Sequence, residues 1–260
     1  MAKPIYRRLP FRKALDWLKD KLPIPTERWN DLVDGAQEWA FTIAGVTHGQ
    51  LLQEALNLVT KAIDDGQLYR DFKQEFAESF TKRGFSPLND WRMRLILLQN
   101  MRNAYGAGRY QQQHDPEAML RRPYIVYRHD DPITPRPHHV ALDGFVARAD
   151  DPIWKTLHPP NGFGCRCRTF SLNDRQLRQE GLSLSDPLPT VAVKDKRTGR
   201  QFNAPTVTVD GKATPVIEPG FNFAPGSTQD RARAIQDTIS QLHPGLRERV
   251  LGMLRRREGR

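Results

Sequence analysis

Hydrophobic spacing changes sharply at Asp115-Pro116, and that change limits what the chain can fold into. From Thr26 the apolar residues Trp29, Leu32, Val33, Ala36, Trp39, Ala40 and Ile43 recur at helical intervals, and Pro23 and Pro25 block extension backwards. Thr47 and Gln50 form a capping-box pattern ahead of a second stripe, Leu51, Leu52, Ala55, Leu58, Val59, Ala62 and Ile63, which Gly66 is placed to stop. Leu68, Phe72, Phe76 and Phe80 mark a third helix ending at Gly84. Asn89 caps the longest, striped by Trp91, Leu95, Leu98, Met101 and Tyr105 and ending before Pro116. One-sided stripes flanked by charge are what helix-on-helix burial requires. Residues 1–115 therefore read as a helical domain.

Beyond Pro116 the stripes give way to Pro, Gly and short β-rich runs. Tyr124–Tyr127, Arg168–Ser171, Val191–Val193 and Thr206–Val209 have strand length, and Asp195–Gly199 reads as a turn between two of them. Residues 116–217 are thus expected to form a small α+β module. Helical spacing returns at Ala234, Ile235, Ile239 and Leu242, breaks at His243-Pro244-Gly245, and resumes at Leu246, Val250, Leu251 and Leu254. Residues 218–260 read as a basic, partly helical tail. The expected fold class is α+β: a helical bundle, a small Pro/Gly-rich module containing strands, and that tail.

Composition narrows the function classes. With 38% apolar residues the chain has no apolar run long enough to span a bilayer, so no membrane partner is expected. Met1 to Phe11 lacks the apolar stretch of a secretory signal, and a reducing, intracellular place of synthesis is expected. Cys165 and Cys167 are the only cysteines, too few for a disulfide framework. The net charge of +10 divides into +3 over residues 1–115, +4 over 116–217 and +3 over 218–260. The last segment is the densest and ends near Arg255, Arg256 and Arg257, which suits either a polyanion or a solubilising surface.

The most unusual chemistry lies between Arg136 and Arg168. Cys165 and Cys167 place two thiols within reach of one soft metal ion. His139 and His158 are the nearest imidazoles, and Asp143 offers oxygen. Zinc would give a segment with little core of its own added folding energy. The other reading is two buried reduced thiols packed on one face of an extended segment, with a histidine bonding backbone. Asn161, Gly162 and Gly164 predict a tight turn presenting the cysteines, and Pro159-Pro160 stiffens its approach. Trp154 reads as a core anchor. Arg136, Arg166 and Arg168 face phosphate or pair with Asp143, Asp150 and Asp151.

This segment resembles the phage Mu F-like and SPP1-type minor head proteins, the head morphogenesis family. An Arg-x-x-His-x-x-Leu-Asp-Gly element falls on Arg136, His139, Leu142, Asp143 and Gly144. An Asp-Pro step with an aromatic follows at Asp151, Pro152 and Trp154. The closing run is Pro159, Pro160, Asn161, Gly162, Phe163, Cys165, Arg166 and Cys167. Trp91-Arg92 and Asn100–Tyr110 are similar to the helix that precedes this module in the family, and the opening Pro10-Phe11, Leu22, Thr26 and Trp29 is similar too, so the likeness runs over roughly residues 8–175. The resemblance implies a minor capsid protein of a tailed phage or prophage. Its implied partners are the portal, scaffold or major capsid protein, and packaged DNA. It implies a role in procapsid assembly and DNA packaging or ejection, and a location inside the virion head after synthesis in the host cytoplasm.

No catalytic role is expected. His139 and Asp143 are spaced as a base and its orienter, but no Gly-x-Ser-x-Gly elbow, phosphate loop or His-Glu-x-x-His helix accompanies them. The rival readings are a stand-alone zinc-containing DNA-binding module and a metal-dependent nuclease.

Overall fold

The fold is that of a computed structural model describing residues 11–28, 32, 36–130, 133–196, 199–228, 235–236, 239–240 and 244–258. Trp29, Val33, Arg197, Thr198, Ala234, Leu242 and His243 lie outside these, as do the side chains of Leu246, Leu254, Arg256 and Arg257. The class is α+β, as expected.

A short helix that the sequence stripes did not announce, α1 (Arg12–Lys19), opens the described chain and buries Ala14, Leu15, Trp17 and Leu18. It is followed by β1 (Leu22–Pro23) and β2 (Ala40–Phe41), which pair in parallel, Leu22 opposite Ala40. The helix expected from Thr26 to Ile43 is therefore corrected: its described part holds one 3-10 turn, Ala36–Glu38, and a strand. The Trp39 carbonyl, which a helix would pair with the Ile43 N–H, accepts instead from the Leu22 N–H at 2.8 Å, and the buried Lys21 ammonium donates to the carbonyls of Gln37 and Ala40. Glu38, its buried counter-charge, accepts from Trp17 Nε1 at 3.1 Å and from the Gly226 N–H at 2.7 Å. Burial holds its carboxyl above the ordinary range.

Three longer helices follow: α2 (Gly49–Asp64), α3 (Tyr69–Lys82) and α4 (Asp90–Gln113). Phe72, Phe76 and Phe80 of α3 stack against α2 as their spacing predicted. Asn89 caps α4, its Oδ1 accepting from the Arg92 N–H at 2.9 Å. The cap of α2 is corrected. His48, not Thr47, takes the N-cap position, with Nδ1 accepting from the Leu51 N–H at 3.4 Å.

The α4 stripe is corrected as well. Trp91 is 70% exposed, and the buried face instead carries Met93, Leu97, Gln99, Asn103, Ala104, Ala107 and Gln113. Two different partners explain this. The N-terminal half of α4 packs in the helical core, while its inner polar groups hold the loop described below.

After α5 (Pro116–Arg121), capped by Asp115, comes β3 (Tyr124–Arg128). Then α6 (Pro137–Val140), β4 (Val146–Arg148), α7 (Trp154–Leu157), β5 (Arg168–Leu172) and α8 (Asp174–Gln179) follow. The sheet order is β4-β3-β5, antiparallel throughout, with Tyr127 opposite Thr169. One face of β3 buries Ile125 and Tyr127 against Trp154, Leu157 and both cysteines; the other buries Val126 against Val146, Leu172 and Leu177. A second meander, β6 (Thr190–Lys194), β7 (Gln201–Val209) and β8 (Lys212–Pro215), adds Ala204 to the first of these cores.

The chain closes with α9 (Pro244–Glu258). Ile239 and Val250 bury themselves with Leu22, Ile24 and Trp39, so this basic segment is anchored to the N-terminal region. Among the described residues no helix is long and apolar enough to cross a membrane.

Candidate functional site

The site is built on the loop from His158 to Cys167, which α4 holds from beneath. Gly106 makes the approach possible: a Cβ there would lie 2.7 Å from the Pro159 carbonyl oxygen, so only glycine lets the loop lie on the helix. The Gly164 N–H donates to Gln99 Oε1 at 3.0 Å, and Thr169 Oγ1 donates to Gln113 Oε1 at 3.0 Å. Asn161, fully buried, ties the loop internally. Its Nδ2 donates to the Thr156 and Leu157 carbonyls at 3.3 and 3.1 Å, and its Oδ1 accepts from the Tyr127 hydroxyl at 3.0 Å. Its backbone carbonyl accepts from the Glu218 N–H at 2.9 Å. A Cβ at Gly162 would lie 2.5 Å from the Glu218 carboxylate and 2.7 Å from the Arg136 guanidinium, so those two side chains would have to shift. Those two side chains form an ion pair of 3.0 Å, and Arg136 also donates to the Phe163 carbonyl.

The loop delivers an alternating run: Cys165 and Cys167 inward, Arg166 and Arg168 outward. Both thiols are buried and reduced, 4% and 7% exposed. His139 Nδ1, carried in by α6, lies 3.7 Å from Cys165 Sγ and 3.5 Å from Cys167 Sγ. These three ligand-type atoms all fall within 4.8 Å of one another. His129, one residue past β3, brings its Nδ1 to 3.5 Å from Cys167 Sγ. A hydrogen bond between the sulfurs pulls the Cys165 thiol well below its ordinary range and pushes Cys167 up, so the pair retains one proton. Burial, and then the two cysteines, push the Tyr127 phenol well above its ordinary range, which keeps it neutral.

Of the four residues expected around a metal, the structure brings together Cys165, Cys167 and His139. His158 stands apart. Its Nε2 lies 3.0 Å from Gln113 Oε1 and 2.9 Å from Thr169 Oγ1, so it anchors the loop to α4. Burial, and then neighbouring His114, lower its pKa from 6.5 to about 3. A histidine depressed in this way binds its proton more readily when the chain is unfolded. Stability is therefore complete above about pH 6.5 and is lost toward pH 3, by about 1.4 kcal/mol per unit. Urea midpoints measured from pH 7 to 4 test this, and the slope should shrink in His158→Gln.

Asp143 turns away from the sulfurs. Its Oδ1 accepts from the His129 N–H at 2.9 Å and its Oδ2 lies 3.7 Å from Arg128 Nη1, so it positions a backbone and is not placed as a base beside His139. Gly144, at φ +83°, donates its N–H to the Tyr127 carbonyl. Trp154 is fully buried, with Nε1 donating to the Arg148 carbonyl at 2.9 Å. Pro160 follows a cis peptide bond. The arginines of the module pair internally in part: Arg136 with Glu218, Arg148 with Asp150, Arg168 with Asp130. Arg166 is exposed on the loop's outer side, and Arg255 is exposed on α9.

Sequence reading missed His129, Tyr127, Gln99, Gln113 and Glu218. Only His129 carried a local signal, an imidazole directly after a strand; the others are ordinary residues whose roles appear once distant segments meet.

Residues 53–170 match the family model described as "Phage Mu protein F like protein". Over those residues the chain is similar to phage Mu F-like proteins. It is 29% identical over 278 aligned residues to the "Putative capsid assembly protein F" of Escherichia phage Mu, covering 95% of this chain and 62% of that protein. It is 29% identical over 224 residues to the "Mu-like prophage FluMu F protein" of Haemophilus influenzae, covering 78% of this chain and 53% of that protein. The chain therefore spans between half and two thirds of the length of these relatives. No solved structure matches it.

Proposed function

We propose that this Mu F-like chain is a minor capsid protein of a tailed phage or prophage, acting without catalysis in procapsid assembly and carried inside the virion head. Its partners in this reading are the portal and the scaffold or major capsid protein, and its work bears on DNA packaging or ejection. One observation supports it most: similarity to a putative capsid assembly protein runs through 95% of the chain. The site agrees, because Asn161, Gly162, Arg136 and Asp143 are occupied with internal contacts. In a phage that encodes the chain, interrupting its gene is expected to abolish infective particles. Supply in trans should restore them, with the chain present in purified heads and crosslinked to the portal. An undiminished titre would contradict the proposal.

A second reading, direct contact with DNA, is favoured by a groove of about 740 Å³ beside the loop. Arg102, Arg109, Arg166 and Arg168 line it together with Tyr105. Burial, and then Arg168, lower the pKa of Arg109. Arg255, Arg256 and Arg257 of the tail belong to the same reading. Removing one phosphate-contacting arginine should reduce the salt dependence of duplex binding by about one unit of slope; an unchanged slope in Arg166→Ala and in a chain shortened before Arg255 would remove this reading.

A further inference from the structure

We infer that Cys165, Cys167, His139 and His129 form a closed, four-coordinate zinc site that fastens the module. Tetrahedral zinc holds sulfur at about 2.3 Å and imidazole nitrogen at about 2.0–2.1 Å, so neighbouring S and N ligands stand about 3.6 Å apart. The distances from His139 Nδ1 to the two sulfurs are 3.7 and 3.5 Å, and from His129 Nδ1 to Cys167 Sγ 3.5 Å. All three are edges of that tetrahedron. His139 Nδ1 faces both sulfurs at nearly equal range, as a nitrogen ligand sharing one ion with two thiolates would. A shared ion on their common side satisfies both at once.

His129 supplies the fourth donor. It lies on the Cys167 side, outside the 4.8 Å circle that the other three share, and a swing of its half-exposed ring closes the shell. Its backbone is already fixed for the purpose by Asp143, whose carboxylate accepts the His129 N–H at 2.9 Å. Two thiolates and two neutral imidazoles cancel the charge of the ion in a buried place, and a shell of four protein ligands leaves no position for an activated water. Three segments of the chain meet there: the end of β3, α6, and the loop before β5. Binding energy at that point becomes folding energy for a module whose strands are short.

Zinc content decides this independently of any role in phage heads, because it is read on the purified full-length chain. Expressed without added metal, the protein is expected to hold one zinc per chain. Replacement by cobalt should give thiolate-to-cobalt charge-transfer absorption and the visible bands of a tetrahedral ion. His129→Ala should keep the charge-transfer bands, which come from the cysteines, while zinc affinity falls on the order of 100-fold. His158→Gln should bind zinc as the parent does. Protein that is metal-free as isolated, with a melting temperature unmoved by zinc or chelator, would overturn the site. Unchanged affinity in His129→Ala would overturn the closed shell and leave an open three-ligand site.

Discussion

Asn161→Leu is expected to destabilise the chain by about 3–5 kcal/mol, because it strands one buried hydroxyl and two buried carbonyls at the loop's centre. Leucine is close in size, so little of the loss comes from volume. Tyr127, 0% exposed, would keep its ring in the core with its hydroxyl unpartnered, and the Thr156 and Leu157 carbonyls would lose the amide that closes the turn. Against a typical total of about 5–15 kcal/mol this is a large share. Urea unfolding followed by tryptophan fluorescence measures it. A loss below about 1 kcal/mol would mean that the loop is not held through Asn161.

Trp154→Ala is expected to cost about 3–5 kcal/mol by a different route, the loss of a large buried ring and the cavity it leaves. Trp154 is 0% exposed, packs edge-to-face on Phe145 at 6.0 Å between ring centroids, and lies in the core that also holds both cysteines. The two effects should not simply add. Asn161 bonds the carbonyls of Thr156 and Leu157, within the turn of helix that Trp154 begins, so the double variant should lose less than the sum. Calorimetry on the single and double variants reads this coupling, and strict additivity would show the two residues to be independent.

Much of the fold was legible because it rests on strong local signals. Phe72, Phe76 and Phe80 at four-residue spacing, Asn89 before α4, and the β-branched runs of β3 and β6 each name their element without help from tertiary contacts. The failures have a common physical origin in buried polar groups. Between Thr26 and Ile43 the helical spacing was real, but the Trp39 carbonyl pairs with the Leu22 N–H and buried Lys21 takes the carbonyls of Gln37 and Ala40. On α4 the hydrophobic stripe led to exposed Trp91, because the face that matters is lined by Gln99, Asn103 and Gln113. A hydrophobicity pattern assigns such residues to the surface.

The candidate site divides in the same way. Cys165, Cys167 and His139 were readable because sulfur and imidazole are chemically distinctive wherever they stand. His158 misled for that same reason: buried in the same loop, it serves as an anchor to Gln113 and Thr169. Asp143 carried a plausible spacing to His139, but the turn through Gly144 sends its carboxylate to the His129 backbone. His129 lies ten residues before His139 in the sequence, and only the antiparallel pairing of β3 with β5 brings it beside Cys167.

The central claim is that Cys165 and Cys167 form an interior fastening at the end of the loop from His158 to Cys167, their thiols buried while Arg166 between them faces outward. Alkylation of native, purified chain with a small thiol reagent tests this most directly, followed by mass spectrometry at Cys165 and Cys167. Both sites are predicted to label no faster than the chain unfolds, with the rate rising in step as urea approaches the unfolding midpoint. Rapid modification of both cysteines in native buffer, at the rate of an exposed thiol, would contradict the account.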